Sequence, residues 1–215
     1  MSDADYERLK ELVIAGDIAA ARALTEKLLA QGLAGREILD NGLLPGMDVV
    51  GARMKAGECF IPEVLLSART MQGALDLIKP HLAAGESASS GTVVIGTVEG
   101  DVHDIGKNLV AMMLEGAGFS VINLGSQISP AAFVAAVREQ RPDILGMSGL
   151  LTTTIPKMSE TIKLLADEGL REAVKVMVGG APVTQRFADE IGADAYGANA
   201  AAAVEKAKEL VSVRS

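Results

Sequence analysis

The chain has 215 residues, 49% hydrophobic and 22% charged, with a net charge of -8 and one cysteine. That length suits one large domain or two modest ones with a real core. The charge balance, 9 basic to 13 acidic side chains over residues 1–88 and 11 to 15 over 89–215, denies either half the positive field that a phosphate backbone requires.

An acidic, polar start, Met1-Ser2-Asp3-Ala4-Asp5, predicts no secretory or mitochondrial leader, and no apolar run approaches the roughly 20 residues of a membrane span. Cys59 has no internal disulfide partner, so a reducing cytoplasm is expected.

Residues 3 to 84 carry helical periodicity throughout. The spacing predicts a helix from about Asp3 to Ala15, stopped by Gly16, and a second from Ile18 to Gln31 capped by Asp17. A third runs from about Gly35 to Ala56 with a kink near Pro45-Gly46, and a fourth opens at Ile61-Pro62 and continues to about Ile78. Together they predict a four-helix bundle.

Ala84 to Gly91 is small, polar and rich in glycine and serine, and reads as a linker between domains at 1–88 and 89–215. From Thr92 the pattern changes. Strands are expected at Thr92–Val98, Ser120–Leu124, Asp143–Met147, Lys175–Val178 and Asp194–Tyr196, each followed by a helical stretch. Five such units imply a Rossmann-like or flavodoxin-like α/β fold, a doubly wound five-stranded parallel sheet.

In such a sheet the loops after the strands lie at the ligand-binding edge. Those loops hold the unusual residues: Gly100–Gly106 after the first strand, Ser148–Thr154 after the third, Gly179–Pro182 after the fourth and Gly197–Asn199 after the fifth. His103 is one of two histidines in the chain. An imidazole titrating near ~6.5 serves as acid, base or metal ligand, and Asp101, two residues earlier, is placed to hydrogen-bond one ring nitrogen. Taken alone, Asp-x-His also describes a histidine satisfied by a capping aspartate. No cysteine, glutamate or second histidine stands at zinc spacing nearby, so a single imidazole suits a metal that arrives with most of its ligands attached. Neither a Gly-x-x-x-x-Gly-Lys-Ser/Thr loop nor a Gly-x-Gly-x-x-Gly loop is present, which removes the motif support for nucleotide triphosphates and dinucleotides.

The run Gly100-Asp101-Val102-His103-Asp104-Ile105-Gly106-Lys107-Asn108 resembles the Asp-x-His-x-x-Gly signature of cobalamin-binding domains. Ser148-Gly149-Leu150 and Gly179-Gly180 match that family's second and third motifs in order. Gly46-Met47 through Val50-Gly51 and Gly57-Glu58 through Phe60-Ile61-Pro62-Glu63-Val64 are similar to the helical cap of methylcobalamin-dependent methionine synthase and of the short corrinoid proteins of methyltransferase systems.

The resemblance implies a cobalamin, methylcobalamin or a related corrinoid, bound base-off and His-on, with His103 as the lower ligand of cobalt. It implies that Asp101 orients His103 and couples its coordination to proton uptake, with Thr154 where methionine synthase has the serine that extends the relay. Val102, Asp104, Ile105 and Gly106 would lie against the cofactor. Its nucleotide tail would thread beside Ser148, Leu150, Thr152, Gly179, Gly180 and the Tyr196-Gly197 region, and Met54 and Ile61 would cover the methyl-bearing face. By periodicity alone those last two residues read equally as bundle core.

The function so implied is a methyl carrier: a corrinoid protein that accepts a methyl group from a substrate-specific methyltransferase and passes it to a second one, with a reductive activase as a further partner. Cap and cobalamin domain fill the chain, leaving no barrel to bind a methyl donor. Two other classes are a cobalamin-dependent regulator, which wants a basic DNA-reading element, and the small subunit of an adenosylcobalamin mutase, which wants the upper face open.

Overall fold

The computed structural model describes residues 2–81 and 90–212, save the side chains at positions 2 and 55. The stretch expected to be the linker lies outside these residues except for Ser90 and Gly91, as does the expected boundary at 88 and 89. Two units emerge, one drawn from Met1–Ser90 with Glu115–Gly118 and the other from Gly91–Leu114 with Phe119–Ser215.

The first unit is helical: α1 (Ser2–Ala15), α2 (Ile18–Ala30), α3 (Gly35–Ile38), α4 (Leu44–Ala56) and α5 (Ile61–Ile78). Asp17 accepts a hydrogen bond from the Ala20 amide, satisfying one of the donors that a helix start leaves free. Helix α5 starts with Pro62 in its first turn and Glu63 reaching back to the Phe60 amide at 2.9 Å. The apolar faces meet in a core that includes Leu9, Leu28, Ile38, Leu43, Met71 and Ile78, all fully buried.

The break in the third helix stands one turn earlier than the proline suggested. Leu39–Leu43 forms a π-helical segment joining α3 to α4, and Pro45 sits in the first turn of α4. Proline has no N–H for the carbonyl of Asn41 and crowds it, so the ladder widens before the ring rather than bending at it.

The second unit contains β1 (Thr92–Thr97), α6 (Ile105–Gly116) up to Leu114, β2 (Ser120–Asn123), α7 (Pro130–Gln140), β3 (Ile144–Ser148), α8 (Pro156–Asp167), β4 (Lys175–Gly179), α9 (Gln185–Ile191), β5 (Ala195–Gly197) and α10 (Ala200–Ser212). All strand pairs are parallel, in the order β2-β1-β3-β4-β5. This is the flavodoxin-like winding, whose direction reverses between β1 and β3. The strands run as near-continuous apolar segments because both faces are covered. On one face Val94, Leu145, Met147, Val176 and Val178 pack with Phe133, Val137, Met158, Ile162 and Ala188 of α7, α8 and α9.

The strand ends differ from expectation in one useful respect. Ser148, Gly179 and Gly197, expected in loops, are the last residues of β3, β4 and β5. They pair in register as Thr97↔Ser148, Ser148↔Gly179 and Gly179↔Gly197, one row across four strands.

Candidate functional site

The loop from β1 to α6 turns around Asp101, whose side chain is fully buried and accepts every hydrogen bond offered to it. Oδ1 accepts from the His103 amide at 2.9 Å and faces His103 Nδ1 at 2.8 Å. Oδ2 accepts from the amides of Leu150 at 2.7 Å and Leu151 at 3.1 Å, in the loop after β3. Thr154 Oγ1 lies 3.1 Å from Oδ2 and 3.0 Å from the Leu151 carbonyl, and its single proton serves one acceptor at a time. Burial works against the charge on Asp101, but the backbone and ring donors of His103 and the amides of Leu150 and Leu151 outweigh it and hold the carboxyl well below the usual carboxylate range.

An ionised carboxylate only accepts, so Nδ1 of His103 carries the proton and Nε2 keeps its lone pair. The imidazole is about half exposed (48%) beside a carboxylate with no exposure at all. Around it lie Val102, Ile105, Leu150 and Leu151, apolar side chains left open to solvent, with Ile105 84% exposed. An apolar rim of this kind around a lone imidazole marks a surface built to be covered.

At the same edge of the sheet a cavity of about 320 Å³ runs along the face opposite α7, α8 and α9, between α6 and α10. Ser148, Gly179, Gly180 and Gly106 lie at its mouth, with Asn199 and Ala198 on the far side. Gly180 has a φ of +128°, and a Cβ there would stand 1.9 Å from the carbonyl oxygen of Gly149. Only glycine allows the loops after β3 and β4 to approach this closely.

Lys107, in the first turn of α6, is 2% exposed. Its Nζ donates to Asn108 Oδ1 and Asn123 Oδ1, both at 2.6 Å, and burial pulls its pKa down while the Asp104 carboxylate pulls the other way. Asp104 accepts the Asn108 amide through its carbonyl at 2.8 Å and the Asn108 side chain through Oδ2 at 3.0 Å. This network locks the start of α6 to the end of β2 and so fixes the exit of the His103 loop.

The structure thus gathers Asp101, His103, Leu150 and Thr154 into one network, and Gly106, Ser148, Gly179, Gly180 and Gly197 around one cavity. Val102 and Ile105 stand on the apolar rim, and Thr152 is exposed on the turn before α8. Tyr196 is placed elsewhere: it pairs with Val178 and packs with the core on the opposite face of the sheet, because side chains alternate along β5. In the first unit Met54 lies in the last turn of α4 and is half-buried, while Ile61 opens α5 with half its surface exposed.

Sequence reasoning gave no site role to the amide of Leu151, the buried Lys107, Asn199, or Phe60, which is 69% exposed next to Ile61. Phe60 had a signal, being one of four phenylalanines in the chain and placed just before the helix-opening Ile61-Pro62. The others had none in local sequence. Cys59 is half-buried with its Sγ 3.6 Å from the Val50 carbonyl, and His81 is exposed in the 3-10 turn after α5. Among the described residues no cluster of three or more histidine, cysteine or carboxylate side chains could by itself hold a metal ion, and no helix is long and apolar enough to cross a membrane.

Two family matches cover most of the chain, both described as B12 binding domain, one over residues 91–205 and the other over residues 5–79. The chain is 45% identical over 206 residues to dimethylamine corrinoid protein 1 of Methanosarcina mazei, covering 95% of both chains. It is 41% identical to trimethylamine corrinoid protein 1 of Methanosarcina acetivorans, again over 95% of each. Among solved structures it is similar to the methanol:cobalamin methyltransferase complex of Methanosarcina barkeri, with a TM-score of 0.84 and 29% identity, covering 95% of this chain and 78% of that one.

Proposed function

We propose a function from one premise: the chain belongs to the family of B12-binding corrinoid proteins. It carries a methyl group on a bound corrinoid from a methyltransferase that is specific for the methyl donor to a second methyltransferase, and a reductive activase is the third partner of the set. The observation that carries this reading is the free Nε2 of His103, a metal-ligating lone pair on a half-exposed ring whose other nitrogen is committed to Asp101.

The residues fit the group. His103 would hold the cobalt, and the cavity at the β3–β4–β5 edge, where glycines and alanines leave room that larger side chains would fill, would take the corrinoid's own base. When bound, the corrinoid supplies the cobalt that takes up and gives away the methyl group. Asp101 fixes the tautomer and the ring orientation. Leu150, Leu151 and Thr154 hold Asp101 in turn.

The ionised Asp101 keeps the shared proton on Nδ1 of the ring rather than on its own carboxyl. Val102, Ile105, Leu150 and Leu151 would exclude water around His103.

The relatives are named for dimethylamine, trimethylamine and methanol systems. The donor is therefore chosen by the partner enzyme, with a methylamine as the first to test. Purified apoprotein is to be reconstituted with cobalamin and its absorption spectrum compared with that of His103→Ala. The expected result is a base-off spectrum with imidazole ligation in the wild type, lost in the variant, and methyl transfer from a methylamine methyltransferase to the wild type alone. No corrinoid binding, or a spectrum indifferent to the loss of His103, would overturn the reading.

A further inference from the structure

The cavity between α6 and α10 is layered. Its mouth is polar, formed by Ser148, Asn199 and the Gly179-Gly180 backbone at the ends of the strands. One pleat deeper, Ile95, Gly146 and Met177 stand in a single row, paired Ile95↔Gly146 and Gly146↔Met177, and all point to the cavity face because side chains two apart share a face. Helix α6 descends from its mouth-side residues Gly106 and Lys107 to Leu109 and Val110, and α10 from Ala200 to Ala203.

The deep tier is therefore Ile95, Gly146, Met177, Leu109, Val110 and Ala203, without a single polar side-chain group. Backbone amides and carbonyls of the floor are spent in the parallel ladder. Lys107 does not alter this, since its Nζ is turned to Asn108 and Asn123, neither of which borders the cavity. Gly146 leaves a flat step between Ile95 and Met177, and a Cβ there would press to 3.1 Å of Ile95 Cγ1. The shape is a slot for a flat ring with nothing to satisfy a hydrogen-bonding edge.

We infer that the row Ile95–Gly146–Met177, walled by Val110, selects the lower base of the corrinoid: it takes a benzimidazole-type base, whose six-membered ring is apolar, and rejects a purine base whose exocyclic amine and ring nitrogens would be buried unpaired. The inference rests on the reading of the cavity as the site of the nucleotide tail. It concerns which corrinoid the protein loads rather than which methyl donor it serves. A buried polar group without a partner is costly, and an apolar pocket of this kind discriminates by roughly 10- to 100-fold.

The test compares equilibrium binding of three corrinoids to the full chain: cobalamin with its dimethylbenzimidazole, the corresponding cobamide with adenine as lower base, and cobinamide, which has no nucleotide tail. Each affinity is corrected for the base-off equilibrium of the free corrinoid. The expected order is cobalamin first, with the adenine cobamide at least tenfold weaker. Val110→Thr, which keeps the shape and adds a hydroxyl to the slot, should bring the two together, and Met177→Gln serves the same end should Val110→Thr fail to fold by circular dichroism. Equal binding of the adenine cobamide and cobalamin would overturn the selection while leaving the tail in the cavity. Cobinamide binding as tightly as cobalamin would instead remove the tail from the cavity, and binding of none of the three would overturn the corrinoid reading itself.

Discussion

Replacing Asp101 by asparagine tests the centre of the site without changing its size. The carboxylate receives two donors on Oδ1, both from His103, and two amides and a shared hydroxyl on Oδ2. An amide has one acceptor oxygen. Its best placement keeps that oxygen on Leu150 and Leu151 and turns the NH2 group toward His103. The His103 amide then loses its acceptor, at about 1–3 kcal/mol, and the remaining bonds lose their charge assistance.

The expected loss for Asp101→Asn is about 3–4 kcal/mol in urea unfolding of the apoprotein, near the top of the usual range for one substitution. The NH2 group also requires Nδ1 to accept, which moves the ring proton to Nε2, the atom that would meet the metal. Imidazole 15N shifts report that tautomer directly. A loss below about 1 kcal/mol, or an Nε2 that stays unprotonated, would refute the argument.

The pH dependence has a definite sign. The folded pKa of Asp101 lies below its unfolded value near ~3.9, so its stabilisation is complete above about pH 5 and fades as pH falls through the carboxylate range toward the folded value. The gap between wild type and Asp101→Asn should therefore be present at neutral pH and narrow as pH falls below about 5.

Gly180→Ala puts a Cβ 1.9 Å from a carbonyl oxygen at a φ of +128°, and should cost about 4 kcal/mol or more or prevent accumulation of folded protein; a loss under about 1 kcal/mol in urea unfolding would show that the approach of Gly149 is not required. Thr154→Val keeps the shape but removes the hydroxyl, with an expected loss of about 0.5–1.5 kcal/mol that Thr154→Ser largely restores. Equal stability of valine and serine variants would dismiss the hydroxyl's part. Burial, with Glu63 adding to it, pushes the Cys59 thiol up, so iodoacetamide should alkylate it more slowly at pH 8 in the folded protein than in urea, with the rate climbing as pH rises. A folded rate equal to the unfolded one would contradict that placement.

Much of this arrangement is legible before any coordinates. The runs from Thr92, Lys175 and their neighbours read as strands because a sheet covered on both faces selects continuous β-branched and apolar residues. His103 and Asp101 stand out because they share one loop. The other half of the Asp101 contacts is invisible in sequence, since the amides of Leu150 and Leu151 belong to the backbone and any residue would provide them. Lys107 reads as a solvated cation until Asn108 and Asn123 are brought beside it, the latter 16 positions on. Tyr196 and Gly197 are adjacent in sequence yet stand on opposite faces of β5, a distinction that a one-residue uncertainty in strand register erases. The deep tier of the cavity depends on pairing among three strands, and Gly146 carries no hint of it alone.

Because Asp101 is held to the loop after β3 through main-chain donors, the side chains of Leu150 and Leu151 are at liberty. They stand 43% and 39% exposed beside the imidazole while their amides do the anchoring. Structural duty and surface identity are thus carried by different atoms of the same residues. A lineage could recolour this rim to greet a new enzyme, or to tolerate a differently decorated macrocycle, without disturbing the aim of His103. Only Thr154, which contributes through its hydroxyl, is denied that latitude.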